Sequence, residues 1–204
     1  MAPELLWVFV PTIAAISLTP GMCMTLAFTL GLSQGYRHTL WMMWGELAGV
    51  ATVVTSCALL LSWIQSLSPL YFSILALIGG SYLLWIAYRL WHQEARFAGG
   101  EGQPNLTPRA LILLGYSTAV MNPKGWGFMI ALLPGFMSSD RAITYQLMTF
   151  LAAILPSEFL SMSLYASGGS GLRRFLSSPE QLSRLNRIAA ILMVLVAALM
   201  FSKL

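Results

Sequence analysis

Charged residues are scarce in this chain, and their scarcity decides the class of protein. They make up 9% of the 204 residues, whereas hydrophobic residues make up 57% and the mean hydropathy is +0.74. Because soluble domains carry about 25% charged residues, a soluble globular protein is excluded. Two stretches, 5–36 and 47–88, contain no charged residue at all. Each exceeds the ~20 apolar residues that a membrane-spanning helix needs, so the sequence predicts a membrane protein.

Cysteines are also few, and a basic N-terminal leader is missing. Cys23 and Cys57 both fall inside apolar stretches and follow no disulfide-framework spacing, so we expect two free thiols. The first apolar stretch has no basic residues before it, and it is too long for the apolar region of a signal peptide. We therefore expect this first segment to remain as a membrane span.

Histidine and aspartate, the usual partners of a serine nucleophile, are scarce in this chain. The segment Gly-Gly-Ser-Gly at 168–171 matches the surroundings of an intramembrane serine nucleophile, but such a nucleophile needs a base within hydrogen-bond reach. The two histidines, His38 and His92, lie at or beyond the predicted cytoplasmic edge, and the single aspartate, Asp140, lies in a loop. We therefore predict that the protein is not an enzyme, and we interpret 168–171 as a glycine-rich helix end.

What the chain does contain is six apolar segments, separated by polar clusters and by Gly/Pro signals. The predicted fold is all-α, a polytopic membrane protein of six transmembrane helices in one domain over 1–204. The predicted spans cover residues 5–30, 38–62, 70–90, 109–136, 143–168 and 180–203. The longest connection, 91–108, is polar and glycine-rich.

Basic residues are distributed unequally between the two sides of this arrangement. Six spans place the odd-numbered loops on one side of the membrane, and the even-numbered loops with both termini on the other. The first side carries Arg37, Arg89, Arg96, Arg109, Arg173, Arg174, Arg184 and Arg187, and the second carries Arg141 and Lys203. Because cytoplasmic loops carry the excess of basic residues, both termini are predicted to face away from the cytoplasm.

Helix-breaking signals occur at matching places in the two halves of the chain. An odd-numbered unit repeated in tandem must insert the second time upside down, so we predict two inverted three-helix repeats over 1–90 and 109–204. Thr19-Pro20-Gly21 interrupts the first helix and Asn122-Pro123-Lys124-Gly125 the fourth, each about 15 residues in. At ~1.5 Å per residue, both breaks are expected near the middle of the bilayer.

Three ionisable residues lie within the predicted spans: Glu46, Lys124 and Glu158. Such a group costs roughly 2.5–3.5 kcal/mol at the centre of a spanning helix, and groups of this kind usually mark functional sites. Glu46 lies nearer the cytoplasmic end, from which we expect it to reach water in part. The alternative stays open that these groups pair with one another and only lock helices together, and that Pro156, beside Glu158, is only a packing kink.

A broken helix also exposes backbone groups. The prolines free carbonyl groups in the preceding turn, and each second half-helix presents unpaired N–H groups at the positive end of its dipole. The N–H groups with Lys124 suit a carboxylate, whereas the freed carbonyls with Glu46 or Glu158 suit an ammonium group. Glu46 is also the first candidate for proton coupling. The predicted substrate-binding or coupling residues are Thr19, Pro20, Gly21, Glu46, Asn122, Pro123, Lys124 and Glu158; no cofactor, catalytic residue or metal site is predicted.

Other readings of the same segments remain open. Met22-Cys23-Met24 offers three sulfur atoms beside a break, but consecutive side chains on a regular helix point ~100° apart and do not chelate together. Two alternative functions are still kept, a metal-ion exporter and a non-transporting membrane scaffold. Trp126, close to Lys124, is interpreted as packing, with a wall of the cavity or a cap on a substrate ammonium group as the alternative. The glycine pairs 31/35 and 45/49 are spaced for close helix contact.

Several segments resemble the LysE/RhtB family of bacterial amino-acid exporters nearly end to end. They are "SLTPGMCMTLAFTLGLSQGYRHTL", "GGSYLLWIAYRLW", "NPKGWGFMIALLPGFM" and "LRRFLSSPEQLSRLNRI". The resemblance implies a six-helix protein of the bacterial inner membrane and proton-linked efflux of amino acids or their derivatives. It implies as partners a small zwitterionic substrate, protons and the lipid bilayer but no nucleic acid, and it leaves a homo-oligomer open. Met22 stands where the family usually has a second proline.

Overall fold

The computed structural model describes residues 5–19, 21–67, 69–92, 106–168 and 179–202, and these ranges are almost entirely helical. They contain eight α-helices and no strand, which confirms the all-α prediction. The helices are α1 (Leu6–Leu18), α2 (Met22–Gln34), α3 (Tyr36–Leu67), α4 (Pro69–His92), α5 (Pro108–Val120), α6 (Pro123–Leu132), α7 (Ile143–Ala166) and α8 (Pro179–Phe201). A 3₁₀ turn, Leu133–Gly135, follows α6.

Several of the described helices are long and apolar enough to cross a membrane. Among the described residues, Tyr36–Ser66 and Ile143–Ala166 each suffice to cross it, and α1 with α2 gives a third span if the pair is counted as one helix bent by 54°. Asn186–Phe201 is a shorter apolar helix. The membrane class predicted from composition is therefore supported by the helices.

The first predicted helix is divided in two, as its proline predicts. α1 ends at Leu18, and Thr19 is extended with φ −67° and ψ 125°. This is the conformation that a following proline imposes, because the proline ring clashes with a helical backbone at the preceding residue. Pro20 itself lies outside the described residues. Gly21 is extended with φ −153°, and α2 resumes at Met22.

The fourth predicted helix is divided in the same way. α5 ends at Val120, Asn122 is extended with φ −77° and ψ 104°, and α6 begins at Pro123. The Asn122 side chain accepts a hydrogen bond of 3.1 Å from the backbone N–H of Lys124. Asparagine before a proline at the first helical position is a favoured helix start, so these residues end one helix and begin the next.

Glycines bring α3 and α5 into close contact. A β-carbon on Gly45 would collide with the backbone of Ile112, and one on Gly115 would collide with the carbonyl group of Met42. Gly49 meets α5 in the same way, and Gly31 of α2 packs against Ala166 of α7. The predicted packing role is therefore confirmed for Gly31, Gly45 and Gly49.

Gly35 has a different role from the one its spacing predicted. It has φ +78° and no atom within 4 Å of a β-carbon position. It forms the turn between α2 and α3, where the left-handed backbone favours glycine. The i, i+4 spacing of Gly31 and Gly35 therefore did not indicate a shared contact surface.

The buried apolar residues form two separate clusters. The larger cluster joins α1, α3, α4, α6, α7 and α8, and the smaller joins α2, α3, α5 and α7. On α7, residues of the first cluster end at Ile154 and those of the second begin at Met162. Glu158 lies between them, so the apolar core is interrupted where the polar residues are found.

Candidate functional site

A cavity lies where the two helix breaks meet. It encloses about 80 Å³, several times the roughly 10–15 Å³ that one water molecule requires. Six of the eight predicted residues line it: Thr19, Gly21, Glu46, Asn122, Lys124 and Glu158. Pro123 instead lines a neighbouring cavity, and Pro20 lies outside the described residues. Side chains far apart in sequence are thus brought to one place.

Lys124 reaches from one break to the other. It stands in the first turn of α6, and its Nζ lies 3.4 Å from the position that a β-carbon on Gly21 would occupy. The amine also lies 5.7 Å from the centroid of the Phe128 ring, within the range of a cation–π contact. Glu158 is its acidic neighbour, but no ion pair between the two is found in the described part of the chain. The Lys124 amine therefore lies beside Gly21 and Phe128, without an ion-pair partner among the described residues.

Glu46 is more deeply buried than its position in the sequence suggested. We expected it to reach water in part, but it is only 1% exposed because α5 packs closely over its face of α3. It lies next to Cys23, and its Oε2 has no hydrogen-bond partner. Leaving a buried acceptor unpaired is unfavourable by about 1–3 kcal/mol, and by more for a charged group. This oxygen therefore favours a ligand that brings a donor or a proton.

Glu158 has a partner that the sequence analysis missed. Its Oε1 accepts a hydrogen bond of 2.8 Å from the hydroxyl of Ser17, which lies in the last turn of α1. Ser17 is buried, and it lines the cavity beside Glu158. The sequence signal for this partner was a serine in an apolar segment, two residues before the Thr-Pro-Gly break.

α7 continues as a helix through Pro156, so this proline does not create a third break.

The carbonyl groups at the two breaks are already used by aromatic donors. The Tyr165 hydroxyl donates to the carbonyl oxygen of Leu18 at 2.8 Å, and Trp126 Nε1 donates to that of Val120 at 2.7 Å. We expected such carbonyls to bind an ammonium group, and each of these two already accepts one hydrogen bond from an aromatic side chain. Trp126 stabilises the end of α5, in agreement with its packing interpretation, and Tyr165 was not identified from sequence.

The two second half-helices also differ from each other. Asn122 caps α6 with its side chain, whereas no side-chain cap is present at the start of α2. The first-turn residues of α2, from Met22 to Met24, line the cavity. The prediction that both half-helices present unpaired N–H groups is therefore corrected: the start of α2, next to Lys124, is the one without a side-chain cap.

The sulfur-containing segment is part of this regular helix. α2 begins at Met22, so the side chains of Met22, Cys23 and Met24 leave the backbone in different directions. Asn122 Nδ2 lies 4.0 Å from Cys23 Sγ, which gives a direct contact between the two breaks. The described residues include no group of three or more His, Cys, Asp or Glu side chains placed to hold a metal ion.

Apolar helices interrupted around a cavity with ionisable groups are typical of membrane transporters. A comparison with protein families gives the particular family. The model of the LysE type translocator family matches residues 14–203, and the chain belongs to this family. The expected LysE/RhtB resemblance is confirmed.

Several curated proteins are similar to this chain over most of their length. A homoserine/homoserine lactone efflux protein of Salmonella typhimurium is 25% identical over 99% of this chain and 98% of its own. A leucine efflux protein of an Enterobacter species is 26% identical over 94% and 92%. An uncharacterised membrane protein of Vibrio cholerae is 26% identical over 87% and 86%. No solved structure was found to match the chain.

Proposed function

We propose that this protein exports amino acids or related small zwitterions from the cytoplasm by exchange with protons. The observation that carries the proposal is the cavity at the two breaks, which is lined by Lys124 and by Glu46, a buried glutamate with one unpaired carboxylate oxygen. The relatives named as homoserine and leucine efflux proteins support the same substrate class.

The substrate carboxylate is proposed to bind between Lys124 and the start of α2. Lys124 Nζ and Gly21 are neighbours, and the first turn of α2 has no side-chain cap. Unpaired N–H groups at a helix start favour an anion, and the helix dipole adds to this preference. A charged amine beside them strengthens the attraction, because charge-assisted hydrogen bonds are about twice as strong as neutral ones.

The substrate ammonium group and the coupling proton are proposed to use the two glutamates. Glu158, held by Ser17, and Glu46, with its unpaired Oε2, both line the cavity. Glu46 is the first candidate for the proton, because its buried Oε2 has no hydrogen-bond partner and is stabilised by gaining a proton or a cation. The bound substrate and the proton would then compete for the same acidic groups, and this competition couples their movements.

The proposed architecture is six membrane spans in two inverted repeats. Repeat one would contain α1 to α4 over about 1–90, and repeat two α5 to α8 over about 109–204, with the segment 91–108 as a cytoplasmic loop. In support, each half begins with a broken pair of helices followed by a long helix. The proposed location is the bacterial inner membrane with both termini in the periplasm, as the basic residues predict.

Inside-out membrane vesicles test the proposal. They expose the cytoplasmic face, so labelled homoserine and leucine are added outside and an acidic lumen is imposed. We expect the protein to drive uptake that collapses with the pH gradient. Lys124→Ala should lower uptake at subsaturating substrate by about 10- to 100-fold, the equivalent of one lost hydrogen bond to a charged group. Glu46→Gln should abolish the effect of the gradient but retain exchange of labelled for unlabelled substrate.

Matched variants outside the cavity are the controls. Arg141→Ala and Glu180→Gln each remove one exposed charge, and both should transport as the unaltered protein does when membrane amounts are equal. Transport that is unchanged in both Lys124→Ala and Glu46→Gln would refute the site. If neutralising the buried charges changes thermal stability and the unaltered protein moves neither substrate, the scaffold alternative is favoured instead.

A further inference from the structure

A second cavity lies on the other side of Lys124. It encloses about 420 Å³ between α1, α4, α6 and α8, and is therefore wider than the cavity at the breaks. The lining residues with polar side-chain groups are Thr19, Tyr82, Trp85, Arg89 and Lys124. No aspartate or glutamate is among its described lining residues, whereas Glu46 and Glu158 both line the first cavity. The two cavities thus differ in charge.

A thin partition separates the two cavities. Four residues line both of them: Ile16, Thr19, Lys124 and Phe128. Thr19 stands at the first break and Lys124 directly after the second. Thr19 and Lys124 therefore place both helix breaks in the wall that the two cavities share.

Arg89 stands at the outer part of the second cavity. It lies in the last turn of α4 and is exposed. Its guanidinium carbon lies 5.0 Å from the centroid of the Trp85 ring, and Trp85 stacks on Tyr82 at 5.7 Å. Stacking on a tryptophan face restrains an arginine but leaves its N–H groups directed outward for a carboxylate.

We propose that this second cavity is the cytoplasmic vestibule of the transporter, and that Arg89 binds the substrate carboxylate before it passes to Lys124. The proposal rests on the proposed export function and on the orientation given there, in which the end of α4 faces the cytoplasm. Two cations along one cavity with no acidic residue in its described lining attract an anion and guide it inward. The acidic groups beyond the partition then receive the ammonium end of the same molecule.

Chemical labelling tests the charge preference of the vestibule without transport. Ile86→Cys places a thiol in the second cavity, in a background where Cys23 and Cys57 are replaced by serine. A sulfonate-bearing and an ammonium-bearing methanethiosulfonate are added to inside-out vesicles, and each rate is normalised to that with a free thiol in solution. We expect the anionic reagent to react at least about tenfold faster, and Arg89→Gln to remove most of this preference.

Arg187→Gln is the matched control, because Arg187 also stacks on a tryptophan, Trp91, but does not line the cavity.

Transport kinetics test the role of the carboxylate. Homoserine has a free carboxylate, and homoserine lactone does not. Arg89→Gln should raise the KM for homoserine about tenfold, as expected for one lost charge-assisted contact. The KM for homoserine lactone should stay within about twofold, since the lactone offers no carboxylate to Arg89, and Arg89→Lys should restore part of the difference.

The two experiments separate this proposal from the function on which it rests. If neither homoserine nor homoserine lactone is transported but the anionic reagent reacts faster, the vestibule is supported and the substrate assignment fails. If homoserine is transported but the reagents react equally, or label Ile86→Cys only from the other face, the vestibule is overturned. An equal effect of Arg89→Gln on homoserine and its lactone would also overturn the role of Arg89.

Discussion

At the scale of single residues, the site depends on a few side chains with unequal surroundings. Lys124 lies against Gly21 and Phe128, Glu158 is hydrogen-bonded to Ser17, and Glu46 has an oxygen without a partner. The three ionisable residues could be identified from the sequence because each lies within an apolar segment. Ser17 was missed because a hydroxyl group in an apolar segment more often bonds to its own helix, as Thr12 does with the carbonyl group of Val8.

Gly21 should affect substrate binding, because its missing side chain leaves space beside the Lys124 amine. Its backbone is extended at φ −153°, so alanine fits there without strain. The added methyl group would lie 3.4 Å from Lys124 Nζ and occupy the proposed carboxylate position. We expect Gly21→Ala to raise the KM for amino acids about tenfold, comparable to the loss of one charge-assisted contact, with little change in the unfolding temperature. Transport assays and thermal unfolding in detergent measure the two effects.

Gly125→Ala is the matched control for Gly21. It adds the same methyl group to the wall of the same cavity, where the nearest atom, the carbonyl oxygen of Ala119, lies at 4.0 Å. Its KM should stay within about twofold, since no charged group is displaced. Equal effects of the two substitutions would count against the carboxylate position.

At the scale of helices, proline and glycine have separate effects on the position of the site. Proline explains why the backbone is extended before each second half-helix, since it disfavours a helical residue at the preceding position. Glycine explains why α3 and α5 approach closely, because a side chain at Gly45 or Gly115 would collide with the opposite backbone. The proline breaks and the Gly45/Gly49 contact were predictable from local sequence. The partner surfaces were not, because no local pattern states which helix a glycine faces.

Gly115 should therefore be a sensitive packing position. A β-carbon there would collide with the Met42 carbonyl and approach the backbone nitrogen of Glu46 to 2.8 Å. Overpacking of this kind lowers the free energy of unfolding by about 1–3 kcal/mol. Gly115→Ala should thus unfold at a lower temperature in detergent. Gly125→Ala should be neutral or stabilising, because alanine favours a helix and has room there. An unfolding temperature for Gly115→Ala as high as that of the unaltered protein would contradict the close α3–α5 contact.

At the scale of the whole molecule, the two apolar clusters and the distribution of basic residues describe an asymmetric membrane protein. The two clusters are separate, and on α7 Glu158 lies between the residues of one and those of the other. Lys124 lines two cavities, and only the cavity at the breaks also has glutamates among its described lining residues. An exporter with two inverted repeats would use this asymmetry to release its substrate on one side.

The orientation of the termini is a prediction for the whole chain. A C-terminal fusion to alkaline phosphatase should be active, and a C-terminal fusion to a fluorescent protein that folds only in the cytoplasm should be dark. Reporters placed in the segment 91–108 should give the opposite pattern. The physical reason is the excess of basic residues in the loops predicted to be cytoplasmic. Arg141→Ala should leave the pattern unchanged, and a fluorescent C-terminus would contradict the six-span orientation.

Composition and local signals by themselves determined the membrane class, the family resemblance, the helix breaks and the three ionisable residues within apolar segments. Each of these follows from short-range chemistry: apolar length, the missing N–H of proline and the unfavourable burial of charge. Only the tertiary structure decided that Tyr165 and Trp126 occupy the carbonyl groups at the breaks, that Glu46 is fully covered, and that Arg89 shares a cavity with Lys124. These contacts join residues on different helices, and they form only when close helix packing brings those helices together.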